Sequence, residues 1–144
     1  MPDRLLFSLS KIHYRLTSHF KRELKRIGID LSPGQIGILL VLEGLGETTM
    51  GDLSRTLEID NAAITRLVDK LEKSQLVGRR INPHDRRQML IEITDEGLQK
   101  ATAVKKVAHA ANKKIGEGFS NEEMAIYKRV NQAILQKFSW SPLR

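Results

Sequence analysis

Leu76-Val77-Gly78-Arg79-Arg80-Ile81-Asn82-Pro83-His84-Asp85-Arg86-Arg87, followed after Gln88 by Met89-Leu90-Ile91-Glu92-Ile93, is the stretch on which the reading of the fold turns. Leu76 to Ile81 reads as a strand. Asn82-Pro83-His84-Asp85 is a turn cluster, because proline presets φ and the short Asn and Asp side chains bond their own backbone. Met89, Ile91 and Ile93 alternate with Leu90 and Glu92, the period of two that marks a returning strand. The two runs make a hairpin with four arginines, Arg79, Arg80, Arg86 and Arg87, around a tight turn.

Upstream, the pattern is helical. Thr49-Met50-Gly51-Asp52 has the form of a capping box and opens a short helix carrying Leu53 and Leu57. Glu58-Ile59-Asp60 makes a turn, and Asp60 is placed to cap a helix from Asn61 to about Ser74, with Ile64, Leu67, Val68 and Leu71 as its inward stripe. Two helices joined by three residues fit a helix-turn-helix; Ser54 is the small residue expected where they approach. Farther upstream, Ser32-Pro33-Gly34-Gln35 starts a helix that is apolar on nearly every side, with Gly44 and Gly46 to stop it. Downstream, Thr94-Asp95-Glu96 opens a long helix ending near Gly116, and Ser120-Asn121-Glu122-Glu123 opens a last one.

Both ends of the chain are amphipathic. Leu5, Leu9, Ile12, Leu16, Phe20, Leu24 and Ile27 recur every three or four residues up to Gly28, and Met124, Tyr127, Val130, Ile134 and Phe138 share a face of the last helix. These stripes offer more apolar surface than one small domain readily covers. Either they pack on each other within one chain or they meet a second copy. The fold class predicted is α+β, mostly α: a winged helix-turn-helix over residues 31–94, a linking helix over 95–116, and long terminal helices over 1–30 and 117–144.

Charge separates the segments. The chain has 144 residues and a formal net charge of +7. Residues 31–60 hold one Lys/Arg against five Asp/Glu, whereas residues 61–90 hold seven against three. Positive charge thus gathers on the second helix of the pair and the hairpin, as a nucleic-acid surface requires. Arginine on a thin β-loop suits a narrow, electronegative minor groove. With Ile64, Leu67 and Leu71 turned inward, Asn61, Ala62, Thr65, Arg66 and Asp69 or Lys70 face outward. Asn61 suits adenine, Arg66 suits guanine, and Ala62 or the Thr65 methyl suits thymine. Lys70 and Lys73 are placed for phosphate or for solvent.

No cysteine is present, which excludes disulfides, thiolate metal sites and thiol-based sensing. The four histidines, His13, His19, His84 and His109, are scattered without metal-ligand spacing. There is no phosphate loop and no nucleophile motif, so an enzyme is not indicated and no cofactor is expected. The longest apolar run, Ile38 to Leu42, is far too short to span a bilayer, and no signal-peptide core is visible, so a cytoplasmic protein is expected. A winged-helix module that binds protein rather than DNA is the alternative; it would not need four arginines at the hairpin.

Residues Leu76 to Arg87 with Leu90, Ile93 and Thr94 resemble the wing signature of the MarR-like winged-helix regulators of bacteria, an Asp-x-Arg turn closing on a Leu/Ile-Thr that starts the next helix. Ile64-Thr65-Arg66-Leu67-Val68-Asp69-Lys70-Leu71-Glu72 resembles that family's recognition helix. The resemblance covers the whole chain in helix order and is specific over about residues 49–97. It implies a DNA-binding transcription regulator, a ligand-responsive repressor on a palindromic operator, and a homodimer interlocked through both terminal helices. It also implies that Asp85 braces a wing arginine, and that a small aromatic or anionic ligand binds between the dimer helices and the DNA-binding lobe. His13, Tyr14, Arg15 and His19 lie on a helix that lines such a pocket or belongs to surface and interface. The chain departs from the family at Gln75, where glycine is usual; a left-handed helix stop there costs about 1 kcal/mol without glycine.

Overall fold

Local signals at the chain's helix ends account for most of the architecture. The computed structural model describes residues 4–142; residues 1–3 and 143–144, the outermost ends of the two terminal segments, lie outside the described residues. Helix α1 (Leu5–Arg26) closes in a Schellman motif, with Gly28 at φ 79° and the Ile29 N–H donating to the Leu24 carbonyl at 2.9 Å. Helix α2 (Pro33–Leu45) begins with the full capping box: the Gln35 N–H donates to Ser32 Oγ, and the Ser32 N–H donates to Gln35 Oε1 at 2.9 Å. Gly46, at φ 78°, terminates it; Gly44 lies inside the helix instead of stopping it, because one glycine costs a helix only about 1 kcal/mol.

A two-residue strand β1 (Thr48–Thr49) precedes helix α3 (Met50–Leu57). Thr49 caps α3 as expected, but the capping box is not reciprocal in the usual way. Aspartate is one methylene shorter than glutamate, and Asp52 Oδ2 accepts the Thr49 hydroxyl at 2.8 Å. The turn to helix α4 (Asn61–Lys73) holds Glu58 in the left-handed region and is closed from within: the Ile59 N–H donates to the Ser54 carbonyl, and buried Ser54 Oγ donates to the Ile59 carbonyl at 2.6 Å. Asp60 occupies the N-cap position of α4, yet its side chain makes no cap hydrogen bond there.

Helix α4 ends in a second Schellman motif. The Gln75 N–H donates to the Glu72 carbonyl and the Leu76 N–H to the Leu71 carbonyl, both at 2.9 Å, with Gln75 itself at φ 60°. Leu71 and Leu76, both buried, stand at the positions whose contact accompanies this cap. The chain then reverses into strands β2 (Val77–Ile81) and β3 (Met89–Ile93), antiparallel with Arg79 opposite Ile91 and Ile81 opposite Met89. Strand β1 pairs on the other edge of β3, giving the order β1-β3-β2. Helix α5 (Asp95–Gly116) is capped by Thr94, and helix α6 (Asn121–Lys137) by the capping box of Ser120 and Glu123.

The main core lies under the helix-turn-helix. Ile38, Leu39 and Leu42 of α2 meet Leu53 of α3, Ile64, Val68 and Leu71 of α4, Ile91 of β3 and Ala101 of α5. A smaller cluster of Leu24, Ile29, Ile36 and Val104 joins the end of α1 to α2 and α5. Within one chain the terminal stripes stay uncovered. Helix α6 buries none of its residues, and α1 buries Leu24 alone. Leu5 is 64% exposed and Phe138 79%.

Two substitutions at the α4–β2–α5 junction should act in opposite directions. A methyl group on Gly97 would stand 2.2 Å from the Leu76 carbonyl oxygen and 2.7 Å from Ile93 Cγ1, so Gly97→Ala should destabilise by about 1–3 kcal/mol. Gln75→Gly removes a left-handed non-glycine residue and should stabilise by about 1 kcal/mol, less what glycine's added chain entropy returns. Denaturant unfolding of both variants checks the pair; a destabilised Gln75→Gly or a neutral Gly97→Ala would contradict this account of the junction.

Candidate nucleic-acid interface

Helix α4 and the β2–β3 wing carry the candidate site. The inward stripe of α4 is buried at Ile64, Val68 and Leu71, which turns Asn61, Ala62, Thr65, Arg66 and Lys70 outward, all exposed. Thr65 Oγ1 donates to the Asn61 carbonyl at 2.9 Å, which fixes the hydroxyl and leaves the methyl group to point elsewhere. Arg66 and Lys70 make no ion pair with the described residues, so their charge is available to a ligand.

The wing turn is organised by two short side chains. Asn82 Oδ1 accepts the His84 N–H at 3.0 Å, and the Asn82 N–H donates to the Gln88 carbonyl at 2.9 Å. Asp85 Oδ1 accepts both the backbone N–H and the Nε of Arg87, at 3.1 and 3.2 Å. The contact expected between Asp85 and Arg87 is thus present, and it orients an arginine whose side chain is otherwise 92% exposed. Arg86 is exposed beside it.

The four hairpin arginines divide into two pairs. Arg79 and Arg80 are adjacent on β2 and so point to opposite faces of the sheet. Arg79 bonds Asp69 of α4, with Glu72 of the same helix at 3.6 Å. On the other face the Arg80 Nε donates to Glu47 Oε2 at 2.9 Å, and Glu92 stands 3.9 Å away. Arg79 and Arg80 therefore tie the root of the wing to α4 and to the loop before β1, whereas Arg86 and Arg87 stand at its tip. Pairs this close to the surface, the Arg79 one half-buried and the Arg80 one exposed, contribute little stability singly, but they set direction.

Between α3, α4 and the wing runs a groove of about 560 Å³, lined among others by Met50, Arg55, Thr65, Asp69, Arg79 and Arg87. Arg55 escaped the sequence reading. Its signal was its isolation, since it is the single Lys/Arg of the acidic stretch 31–60. It pairs with Asp52, one turn earlier on α3, and extends the cationic rim to the first helix of the pair. Hydrogen bonds from the Thr49 hydroxyl and then from the Arg55 guanidinium hold the Asp52 carboxyl below the usual carboxylate range.

A second, apolar cleft of about 480 Å³ lies between α1 and α5, lined by Leu16, His19, Phe20, Ala111, Lys114 and Ile115 among others. Of the α1 residues considered for a ligand pocket, His19 lines this cleft; His13, Tyr14 and Arg15 are exposed and outside it. Among the described residues no helix is long and apolar enough to cross a membrane.

A helix-turn-helix followed by an arginine-tipped hairpin defines a winged-helix protein. The sequence pattern of the MarR family matches residues 31–89, and the chain belongs to that family of HTH-type transcription regulators. It is 31% identical over 99 residues to the regulator YsmB of Bacillus subtilis (strain 168), covering 69% of this chain and 68% of that protein. A solved structure of another MarR family transcription regulator superposes with a TM-score of 0.82 at 26% identity, covering 95% of this chain and 91% of that one. A mutant of MarR from E. coli, solved in complex with operator DNA, shares the fold with a TM-score of 0.75 at 20% identity, covering 92% and 96% of the two chains. The matched region spans 57–65% of the length of other curated relatives.

The Asp52 interactions have a pH signature. A carboxyl whose pKa is lowered by folding stabilises the fold above its unfolded value and loses that contribution as pH falls through the folded one. Asp52→Asn should therefore lower the melting temperature most near neutral pH, and the gap to the parent should close below about pH 4. Thermal unfolding across pH 3–7, an interval of about four units around the ordinary carboxylate value, provides the check; a gap independent of pH would show that the charge on Asp52 is immaterial.

Proposed function

We propose that the chain is a sequence-specific, double-stranded DNA-binding transcription repressor that acts as a homodimer on a palindromic operator. The observation that carries this reading is the pairing of an outward α4 stripe, free of ion pairs with the described residues at Arg66 and Lys70, with a wing whose tip arginines are exposed. In this reading α4 enters the major groove. Asn61 and Arg66 meet adenine and guanine edges, Ala62 and the Thr65 methyl meet thymine, and Lys70 meets phosphate. Arg86 and Arg87 enter the flanking minor groove, where width and A·T content are what can be read. Asp85 supports Arg87, and the paired Arg79 and Arg80 frame the wing. The likeness to a MarR fold solved on operator DNA supports the docking geometry.

The uncovered stripes of α1 and α6 support the dimer. Leu5, Ile12 and Leu16 of the first stripe and Tyr127, Val130 and Phe138 of the second each expose 41% or more of their surface. Left in water, such stripes invite association, and a two-fold pairing places two α4 helices for two half-sites about one helical turn apart. The α1–α5 cleft has the size and apolar walls of a small-molecule site. Lys114 and His19 in its lining suit an aromatic anion, and occupancy there would shift the lobes against the dimer helices and release the operator.

Two measurements test this. Light scattering should show a dimer at micromolar concentration; a stable monomer would sink the assembly. In fluorescence anisotropy on a duplex selected from a random pool, Arg66→Ala should cost about 1–3 kcal/mol and relax preference at one base position. Arg87→Ala should cost a similar amount, leave major-groove preference intact and reduce the log–log salt slope by roughly one for each phosphate it no longer neutralises. Arg80→Ala, whose charge is held by Glu47, should leave that slope unchanged. Parent-like binding by both Arg66→Ala and Arg87→Ala would overturn the helix-and-wing reading.

A further inference from the structure

Asn61, Thr65 and Asp69 follow one another at helical spacing along the outward side of α4. Thr65 and Asp69 both line the groove under the wing. A carboxylate in that row is out of place on a surface meant for phosphates, because like charges brought together oppose association. The structure shows how it is dealt with. Arg79 reaches from β2 to bond Asp69, and its other terminal nitrogen stands 3.6 Å from Glu72. One guanidinium thus faces two carboxylates. Its side chain is 23% exposed, against 41% for Arg80 and 92% for Arg87, so it is the least available of these three to an incoming duplex.

We infer that Arg79 is a positioning residue: it promotes DNA binding by neutralising Asp69 within the groove, without touching DNA itself. The inference rests on the reading that α4 and the wing bind duplex DNA. Its consequence is specific. Removing Arg79 leaves an uncompensated negative charge beside the major-groove stripe, so the loss should disappear when that charge is removed as well. Removing Asp69 alone should be nearly silent, because Arg79 keeps Glu72 as a partner and the wing keeps its direction.

The test uses the full chain and a duplex that the parent selects from a random-sequence pool, read by fluorescence anisotropy at one fixed salt concentration. Thermal unfolding of each variant is run alongside. Arg79→Ala should weaken binding by about tenfold or more, and Asp69→Asn should stay within about threefold of the parent. The double variant should recover to within about threefold of the parent. Arg79→Gln, which keeps much of the side-chain length without the charge, replaces Arg79→Ala if that variant does not fold, and should be rescued by Asp69→Asn in the same way. A double variant as weak as Arg79→Ala would mean that Arg79 contacts DNA directly. An Asp69→Asn variant as weak as Arg79→Ala would mean that the pair is only a brace. Either result overturns the inference while leaving the DNA-binding reading in place. A parent that selects no duplex overturns that reading, and this inference with it.

Discussion

The carbonyl of Leu76 is where the parts of this molecule are joined. It accepts the Thr94 N–H at 3.1 Å, and the bare Cα of Gly97 lets the first turn of α5 come down against it. The same residue's N–H closes the end of α4 on the Leu71 carbonyl. One residue earlier, the Gln75 carbonyl accepts the Thr94 hydroxyl at 2.8 Å, and that hydroxyl also caps α5 through the Gly97 N–H. Helix α4, the root of the wing and α5 are therefore fixed to one another by backbone groups over a few residues. The left-handed turn at Gln75 is the strain that this arrangement holds in place.

That junction gives the interface its geometry, and charge gives it its polarity. The α4 stripe and the wing tip point outward because Leu71, Leu76 and Ile91 are buried beneath them. Arg79 and Arg80 then pin the wing from both faces of its sheet. The consequence is a surface organised before any ligand arrives, in which the cations at the tip are exposed, with Arg87 braced by Asp85, and those at the root are held by carboxylates of α4 and of the loop before β1. Preorganisation of this kind reduces the ordering that binding would otherwise require. The acidic stretch before α4 contributes as well, since Glu47 of that stretch holds Arg80.

The legible parts of this structure were those governed by near neighbours. The capping boxes at Ser32 and Ser120, the Gly28 stop, the inward stripe of α4 and the Asp85–Arg87 contact all depend on residues within four positions of each other. Gln75 was readable even as an exception, because the helix stop needs a left-handed residue whatever its side chain. What escaped the sequence depended on distant partners. Strand β1 is two residues long, has no periodicity, and exists because β3 offers an edge about forty residues on, beyond the reach of local patterns. The partners of Arg79 and Arg80 lie 10 and 33 residues away, so four arginines that looked alike fell into two classes. Gly97 likewise meets the carbonyl of Leu76, a partner more than a helix turn away in sequence that no local pattern marks.

The central claim is that two copies of α4 and its wing meet one face of a DNA duplex. Hydroxyl-radical footprinting of the parent protein on a duplex selected from a random pool tests it most directly, because it reports which sugars the protein covers. The account predicts protection in two blocks related by two-fold symmetry, centred about 10 base pairs apart, each flanked on its outer side by a protected minor groove. A single block, protection without symmetry, or the absence of any protected sequence at concentrations where the protein is dimeric would contradict it.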